Sequence, residues 1–365
     1  MLTFVHAADF HLDSSFGALT AGQATARRRE SRELAFRLSD YVNENGVDLV
    51  LLAGDLFDSG AAFRETGEQL AQALGRMRAR VFIAPGNHDY VGPGSPWLTV
   101  DWPENVYIFK ESTLTAVEAP ERDLVIHGAA FTGPEQTEGV LTGFTAPEDG
   151  RRHIGLLHGE LDPAAARYGP IRREEVAASG LDYLALGHIH KRSEPVRLGQ
   201  TVCAWPGCPE GRGFDELGEK GFYRGTIDGG GHVALEFVPF AQRRYEVLEV
   251  DVTGKSPRAA IEAALPEDTA RHLYRILLTG ETGEGGVDAG ALQTALADRF
   301  YSLELRDHTR MAESVWARAE EDSLRGLFLR ALREQWQWAE SDRERETVTQ
   351  AARFGLAALD HRDLG

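Results

Sequence analysis

Six short apolar runs in the first 187 residues have no polar face: LTFVHAA (2–8), VDLVLLA (47–53), RVFIAP (80–85), DLVIHGAAF (123–131), HIGLLHG (153–159) and LDYLALG (181–187). A strand that is apolar on both faces has to be covered on both, which a sheet sandwiched between layers achieves. Polar helical patterns over 24–45 and 64–78 separate the first three runs. Strand–helix–strand order predicts a layered α/β domain. Strands at 197–204, 221–227 and 233–239 follow without helices between them, and DGGG at 228–231 reads as a hairpin turn.

A second unit begins near Arg244. Strands at 245–252, 273–281 and 301–307 alternate with helices at 256–265 and 288–300, which predicts a small α/β capping domain with GETGEGG (280–286) as a surface loop. The expected boundaries are 1–242, 243–308 and a helical region, 309–365. In that last region Leu324, Leu327, Phe328, Leu332 and Trp336 keep helical spacing, and a second helix runs over 342–359.

The ends of the strand-like runs carry the chemistry. LALGHIH (184–190) puts His188 and His190 two residues apart, on one side of an extended segment. The first run leads to Asp9 and His11 with the same spacing. The others supply Asp55 and Asp58 (GDLFD), Asn87, His88 and Asp89 (GNHD), and His158 (HGE). Open α/β sheets place their sites at the carboxyl ends of strands, and five ends rich in Asp, Asn and His point to bound metal. Mixed oxygen and nitrogen donors without thiolate suit Mn, Fe, Zn or Ni and disfavour Ca. Asp9, His11, Asp55, Asn87, His158, His188 and His190 are too many side chains for one ion. They suit two if Asp55 bridges. Ions about 3.5–4 Å apart can hold a hydroxide between them and clamp a phosphoryl oxygen. His88 is then left as the proton donor to a leaving alkoxide. Asp58 either orients His88 or supports a ligand histidine from behind. Asp89 orients loops or a ligand, while His6, His127 and His153 are structural. Arg212 either contacts a phosphate or forms a surface salt bridge.

A formal charge of −18 argues against a generic basic nucleic-acid binder, although nearly all the basic residues are Arg, which suits bidentate phosphate contacts. Cys203 and Cys208 lack a CxxC spacing and read as free structural thiols. The N-terminal run is broken by His6 and Asp9 and reads as a strand, not a signal peptide. No run is long enough for a membrane span, so a cytoplasmic protein is expected.

In their order, DFH, GDLFD, GNHD, HGE and GHIH resemble the calcineurin-like metallophosphoesterase superfamily, and HAADFHLDSSF with PGCPEGRGFDELGEKGFY resembles its SbcD and YhaO-like DNA repair exonucleases. The resemblance implies a layered α/β/β/α sandwich over roughly the first 240 residues, followed by the cap. It implies one ion, usually Mn²⁺, held by Asp9, His11, Asp55 and His190. A second would be held by Asp55, Asn87, His158 and His188, with His88 as catalytic acid. Cys208 stands where relatives often carry a small polar residue. In the family the C-terminal helices dock on an SbcC-like coiled-coil ATPase, and helices near the active face form a homodimer. Here the Leu324–Trp336 stripe could equally pack on its own chain. The expected reaction is hydrolysis of DNA by a hydroxide held between the ions, with a phosphatase or phosphodiesterase for small nucleotides as the rival. A binding subunit without turnover is disfavoured, because all seven donors and His88 are present.

Overall fold

The computed structural model describes residues 1–59, 63–165, 167–283, 286–312 and 316–359. Glu284 and Gly285 of the GETGEGG loop, and 313–315 and 360–365 of the expected helical region, lie outside the described residues. The chain divides into two compact units, Met1–Gln242 and Arg243–Gly365.

The first unit opens with β1 (Leu2–Ala7), α1 (Ala21–Glu44), β2 (Leu49–Leu52), α2 (Arg64–Gly75), β3 (Arg80–Ile83), the single turn α3 (Pro96–Thr99) and β4 (Val106–Ile108). There follow β5 (Thr115–Ala119), β6 (Leu124–Gly128), β7 (Arg152–His158), the short β8 (Glu160–Leu161) and β9 (Pro170–Ile171), α4 (Arg173–Ala178) and β10 (Tyr183–Gly187). It closes with β11 (Val196–Leu198), β12 (Thr201–Ala204), β13 (Gly221–Ile227) and β14 (Val233–Pro239).

Two six-stranded sheets result, ordered β14-β13-β1-β2-β3-β4 and β11-β12-β10-β7-β6-β5. The strands β1 to β4 are mutually parallel, as are β12, β10, β7 and β6. Antiparallel strands close the remaining edges. Period-two alternation explains the apolar runs. Val5, Val50 and Val81 pack toward Leu34 and Leu38 of α1 and Leu70 and Leu74 of α2. Phe4, Leu51 and Phe82 face the other way, against Ile126, Leu156 and Tyr183 of the second sheet. On that sheet's far side Leu157, Leu184 and Leu186 meet Val176 of α4. The layers are therefore α/β/β/α.

The span expected as one strand, 197–204, is instead a hairpin, β11 and β12. Gly199, at φ +59°, makes the turn, and the apolar residues on either side concealed it.

In the second unit β15 (Tyr245–Asp251), β16 (Leu273–Thr279) and β18 (Ser302–Asp307) form a parallel three-stranded sheet. Between its strands lie α5 (Pro257–Ala264), the short β17 (Glu281–Thr282) and α6 (Ala289–Leu296). β17 pairs with β19 (Arg310–Met311), so the expected surface loop starts as a strand. The helices α7 (Leu324–Trp338) and α8 (Asp342–Leu359) end the chain. The expected stripe divides: Phe328, Leu332 and Trp336 pack around Trp316, Leu329 and Leu356, whereas Leu324 and Leu327 are exposed. Among the described residues no helix is long and apolar enough to cross a membrane.

Candidate metal centre

The carboxyl ends of β1, β2, β3, β7 and β10 converge, and the loops leaving them bring all seven expected donors together. The backbone is bent to do so. Asp9 (φ 57°), His11 (45°), Asp55 (51°) and His188 (93°) all have left-handed torsions, which non-glycine residues adopt rarely and which cluster at functional sites. Backbone bonds lock the bends: Asp9 N–H donates to Gly54 O at 3.0 Å, and His11 N–H to Asp55 O at 2.9 Å. At Gly86 the packing excludes any side chain, because a Cβ would stand 2.2 Å from Asp55 Oδ1.

Each of the four candidate ligand histidines is oriented through one ring nitrogen, which leaves the other facing the centre. His11 Nδ1–H donates to Asp58 Oδ1 (3.1 Å) and His190 Nδ1–H to Glu216 Oε1 (2.7 Å). His158 Nδ1–H donates to Ala53 O (2.8 Å) and His188 Nε2–H to Glu160 Oε1 (2.8 Å). The other nitrogens, which carry lone pairs whenever the rings are neutral, point inward. His11 Nε2 and His190 Nε2 are 3.1 Å apart. Asn87 Oδ1 lies 3.1 Å from both His158 Nε2 and His188 Nδ1. Asp55 Oδ2 sits between the two halves, 3.6 Å from His11 Nε2 and 3.4 Å from His158 Nε2. Asp9 Oδ1 accepts His188 N–H at 3.0 Å, while its Oδ2 is buried without a hydrogen-bond donor.

These observations fit cations. Facing acceptor lone pairs repel, and a buried carboxylate oxygen without a donor is costly, unless a positive charge takes them up. The clusters Asp9–His11–Asp55–His190 and Asp55–His158–His188 each have donor atoms close enough for one ion, and Asn87 Oδ1 joins the second. The set suits two ions sharing Asp55. Burial pushes the Asp9 carboxyl up to about 6, with nearby Asp55 adding to the rise against the neighbouring histidines. Burial pulls His158 down, but the Asp55 carboxylate outweighs it and raises the imidazole to about 9.

His88 is exposed and stands beside the donor set, its ring edge-on to His11 at 4.9 Å between centroids. Its Nδ1–H donates to Asp58 O at 3.1 Å, and its backbone N–H donates to Asp55 Oδ1 at 2.9 Å. One expectation for Asp58 is thereby corrected. Its main-chain carbonyl, not its carboxylate, orients His88, and the carboxylate turns to His11 and Arg212. The geometric reason is that Leu12 and Phe57 form an isolated parallel bridge, and Asp58 N–H donates to Leu12 O, which sets the side chain beside His11. The buried Asp89 carboxylate ties loops together, taking N–H groups from Gly86, Leu56 and Phe57. Cys208, also buried, lies against the His190 carbonyl with Sγ at 3.6 Å.

Glu216, Glu160 and Lys220 were not anticipated from sequence. Lys220 Nζ donates to His190 O at 3.1 Å. Glu216 stands 26 residues from His190, and Glu160 28 from His188; only HGE, which puts Glu160 beside His158, hinted at either. Arg212 departs from one alternative: its guanidinium is engaged by Glu216 and Asp58 and is only a fifth exposed, so the ion pair it makes is part-buried and not a surface one.

Residues 2–192 match the family described as calcineurin-like phosphoesterase. The chain is 33% identical to the uncharacterized metallophosphoesterase YhaO of Bacillus subtilis over 84% of this chain and 82% of that protein. It is 24% identical to the DNA double-strand break repair protein Mre11 of Methanopyrus kandleri over 70% of this chain and 60% of that one.

Proposed function

The chain belongs to the calcineurin-like phosphoesterase family, and from that premise we propose that it hydrolyses phosphodiester bonds in DNA, as an exonuclease in repair. The observation that carries this reading is His88, an exposed imidazole held at the rim of the seven-donor centre and outside both clusters that share Asp55. The Asp58 carbonyl fixes the ring through Nδ1 and leaves Nε2 to face a bound ester. There Nε2–H protonates the departing sugar oxygen. Two divalent cations, Mn²⁺ in this reading, supply Lewis-acid polarisation and an activated water when bound. Asp89 keeps the loops that carry Asp55 and Asn87 in register.

Similarity to a protein named for double-strand break repair supports DNA as the substrate. Leu324, Leu327 and Trp338 of α7 and Phe354 of α8 are exposed, which supports a docked partner, read as a coiled-coil ATPase. We extend the reading to a homodimer. Two free, buried cysteines suit a reducing, cytoplasmic setting.

The test is a Mn²⁺-dependent assay on linear duplex and single-stranded DNA with defined ends, with Asp55→Asn as the inactive control. Release of nucleotides from ends by the parent alone is expected. The charge of −18 favours a second reading, a small-nucleotide phosphodiesterase. Turnover of cyclic nucleotides with intact DNA would select it.

A further inference from the structure

The Arg212 guanidinium is the middle of a closed circuit. Arg212 Nη2 donates to Glu216 Oε1 at 2.6 Å, its Nε to Glu216 Oε2 at 3.3 Å and its Nη1 to Asp58 Oδ1 at 3.3 Å. The Arg212 backbone N–H also donates to Glu216 Oε2, at 2.7 Å. Each carboxylate in turn holds one histidine, Glu216 taking His190 and Asp58 taking His11. The two imidazoles meet again at their Nε2 atoms. The loop that carries Arg212 is itself anchored, because the buried Arg27 of α1 bonds Glu210 at 2.6 Å and Gly211 O at 3.0 Å.

The other half of the centre is built differently. His158 is oriented by a neutral backbone carbonyl, and Glu160, which orients His188, is one-third exposed. Its oxygen donors are the shared Asp55 and the neutral Asn87, whereas the first half has both Asp9 and Asp55. More anionic donors, and imidazoles backed by carboxylates, favour a divalent ion.

We infer that Arg212 and Glu216 are positioning residues, an ionic clasp that sets His11 and His190 at the spacing one cation spans, so that the position bounded by Asp9, His11, Asp55 and His190 fills first and holds more tightly. The inference rests on the two-ion centre and not on DNA as the substrate.

The test titrates the full metal-free chain with Mn²⁺ in a calorimeter. Two unequal binding events are expected in the parent. Glu216→Gln and Arg212→Met should each weaken the tighter event by about 10–100-fold and spare the weaker one, while Glu160→Gln does the reverse. Arg212→Lys, which keeps a cation between the carboxylates, should recover part of the loss. Binding of a DNA oligonucleotide to the metal-free variants is measured in parallel. Weaker DNA binding by Arg212→Met with an unchanged Mn²⁺ isotherm would make Arg212 a phosphate contact and overturn the clasp. Equivalent sites in the parent, or equal losses at both positions, would overturn it too. If Arg212→Met does not fold, the near-isosteric Glu216→Gln decides alone. Absence of nuclease activity in the parent, with these isotherms as expected, would count against the substrate reading only.

Discussion

His11 and His190 face each other through Nε2 atoms 3.1 Å apart, and each ring spends its other nitrogen on a carboxylate. The same fold contains a second close histidine pair with a different meaning. His127 Nε2 and His153 Nδ1 are 2.9 Å apart, but His153 uses Nε2–H on Asp149, so its Nδ1 accepts a proton from His127. One pair is a donor and an acceptor; the other is two acceptors that want a cation between them.

Divalent metal should therefore stabilise the first unit. At free Mn²⁺ about 100 times the dissociation constant, the gain is about 2.7 kcal/mol, which shifts a melting temperature by roughly 2–4 °C per kcal/mol for a domain of this size. Calorimetric melts with Mn²⁺ and with a chelator check this. Asp55→Asn, which removes the shared carboxylate charge, should melt at nearly one temperature in both. An equal shift in that variant would place the metal elsewhere.

His88→Ala should lower kcat by about 10²–10⁴-fold, the usual worth of a positioned proton donor, while Mn²⁺ stoichiometry stays at the parental value. The loss should shrink on a nitrophenyl diester, whose leaving group departs without protonation. DNA cleavage at the parental rate with metal bound would remove His88 from the mechanism.

Neither cysteine should react in the folded chain. Both are fully buried, and burial pushes the Cys203 thiol up to about 11 and the Cys208 thiol to about 12. Ellman's reagent should find no reactive thiol in native protein and both in denaturant. Rapid native labelling would contradict the packing of Cys208 on the His190 carbonyl.

The donors were readable because an apolar run marks a buried strand whose carboxyl end opens to the site. The side chains of the D-x-H and H-x-H pairs are aimed by left-handed bends at Asp9, His11 and His188 just past the strand ends, not by strand alternation, so His188 and His190 face different halves of the centre. Asp55 was readable as the shared carboxylate because seven donors exceed one coordination shell. What supports these groups was not readable. Glu216 reaches His190 only after β13 has paired beside β1 and drawn its preceding loop to the site. The direction of the Asp58 carboxylate depends on the bridge between Leu12 and Phe57, which no spacing in GDLFD reveals. The β11–β12 turn escaped for a simpler reason, since a lone glycine inside an apolar stretch looks the same in a strand and in a hairpin.

The buried His127 and His153 pair also sets a pH dependence away from the metal centre. Burial, with the neighbouring His153 and Arg151 adding to it, lowers His127 from its ordinary 6.5 to about 4. In the folded chain the ring stays neutral where the unfolded chain takes up a proton. Unfolding then binds protons between these values, so stability rises with pH across that window. The contribution is fully present above about 6.5 and disappears as pH falls through about 4, at about 1.4 kcal/mol per pH unit. Folding free energies measured from pH 7 to 4 with chelator present should fall in the parent and fall less steeply in His127→Gln, which keeps a donor for His153 but cannot titrate. Parallel slopes would mean that His127 takes up its proton as readily in the folded chain as in the unfolded one.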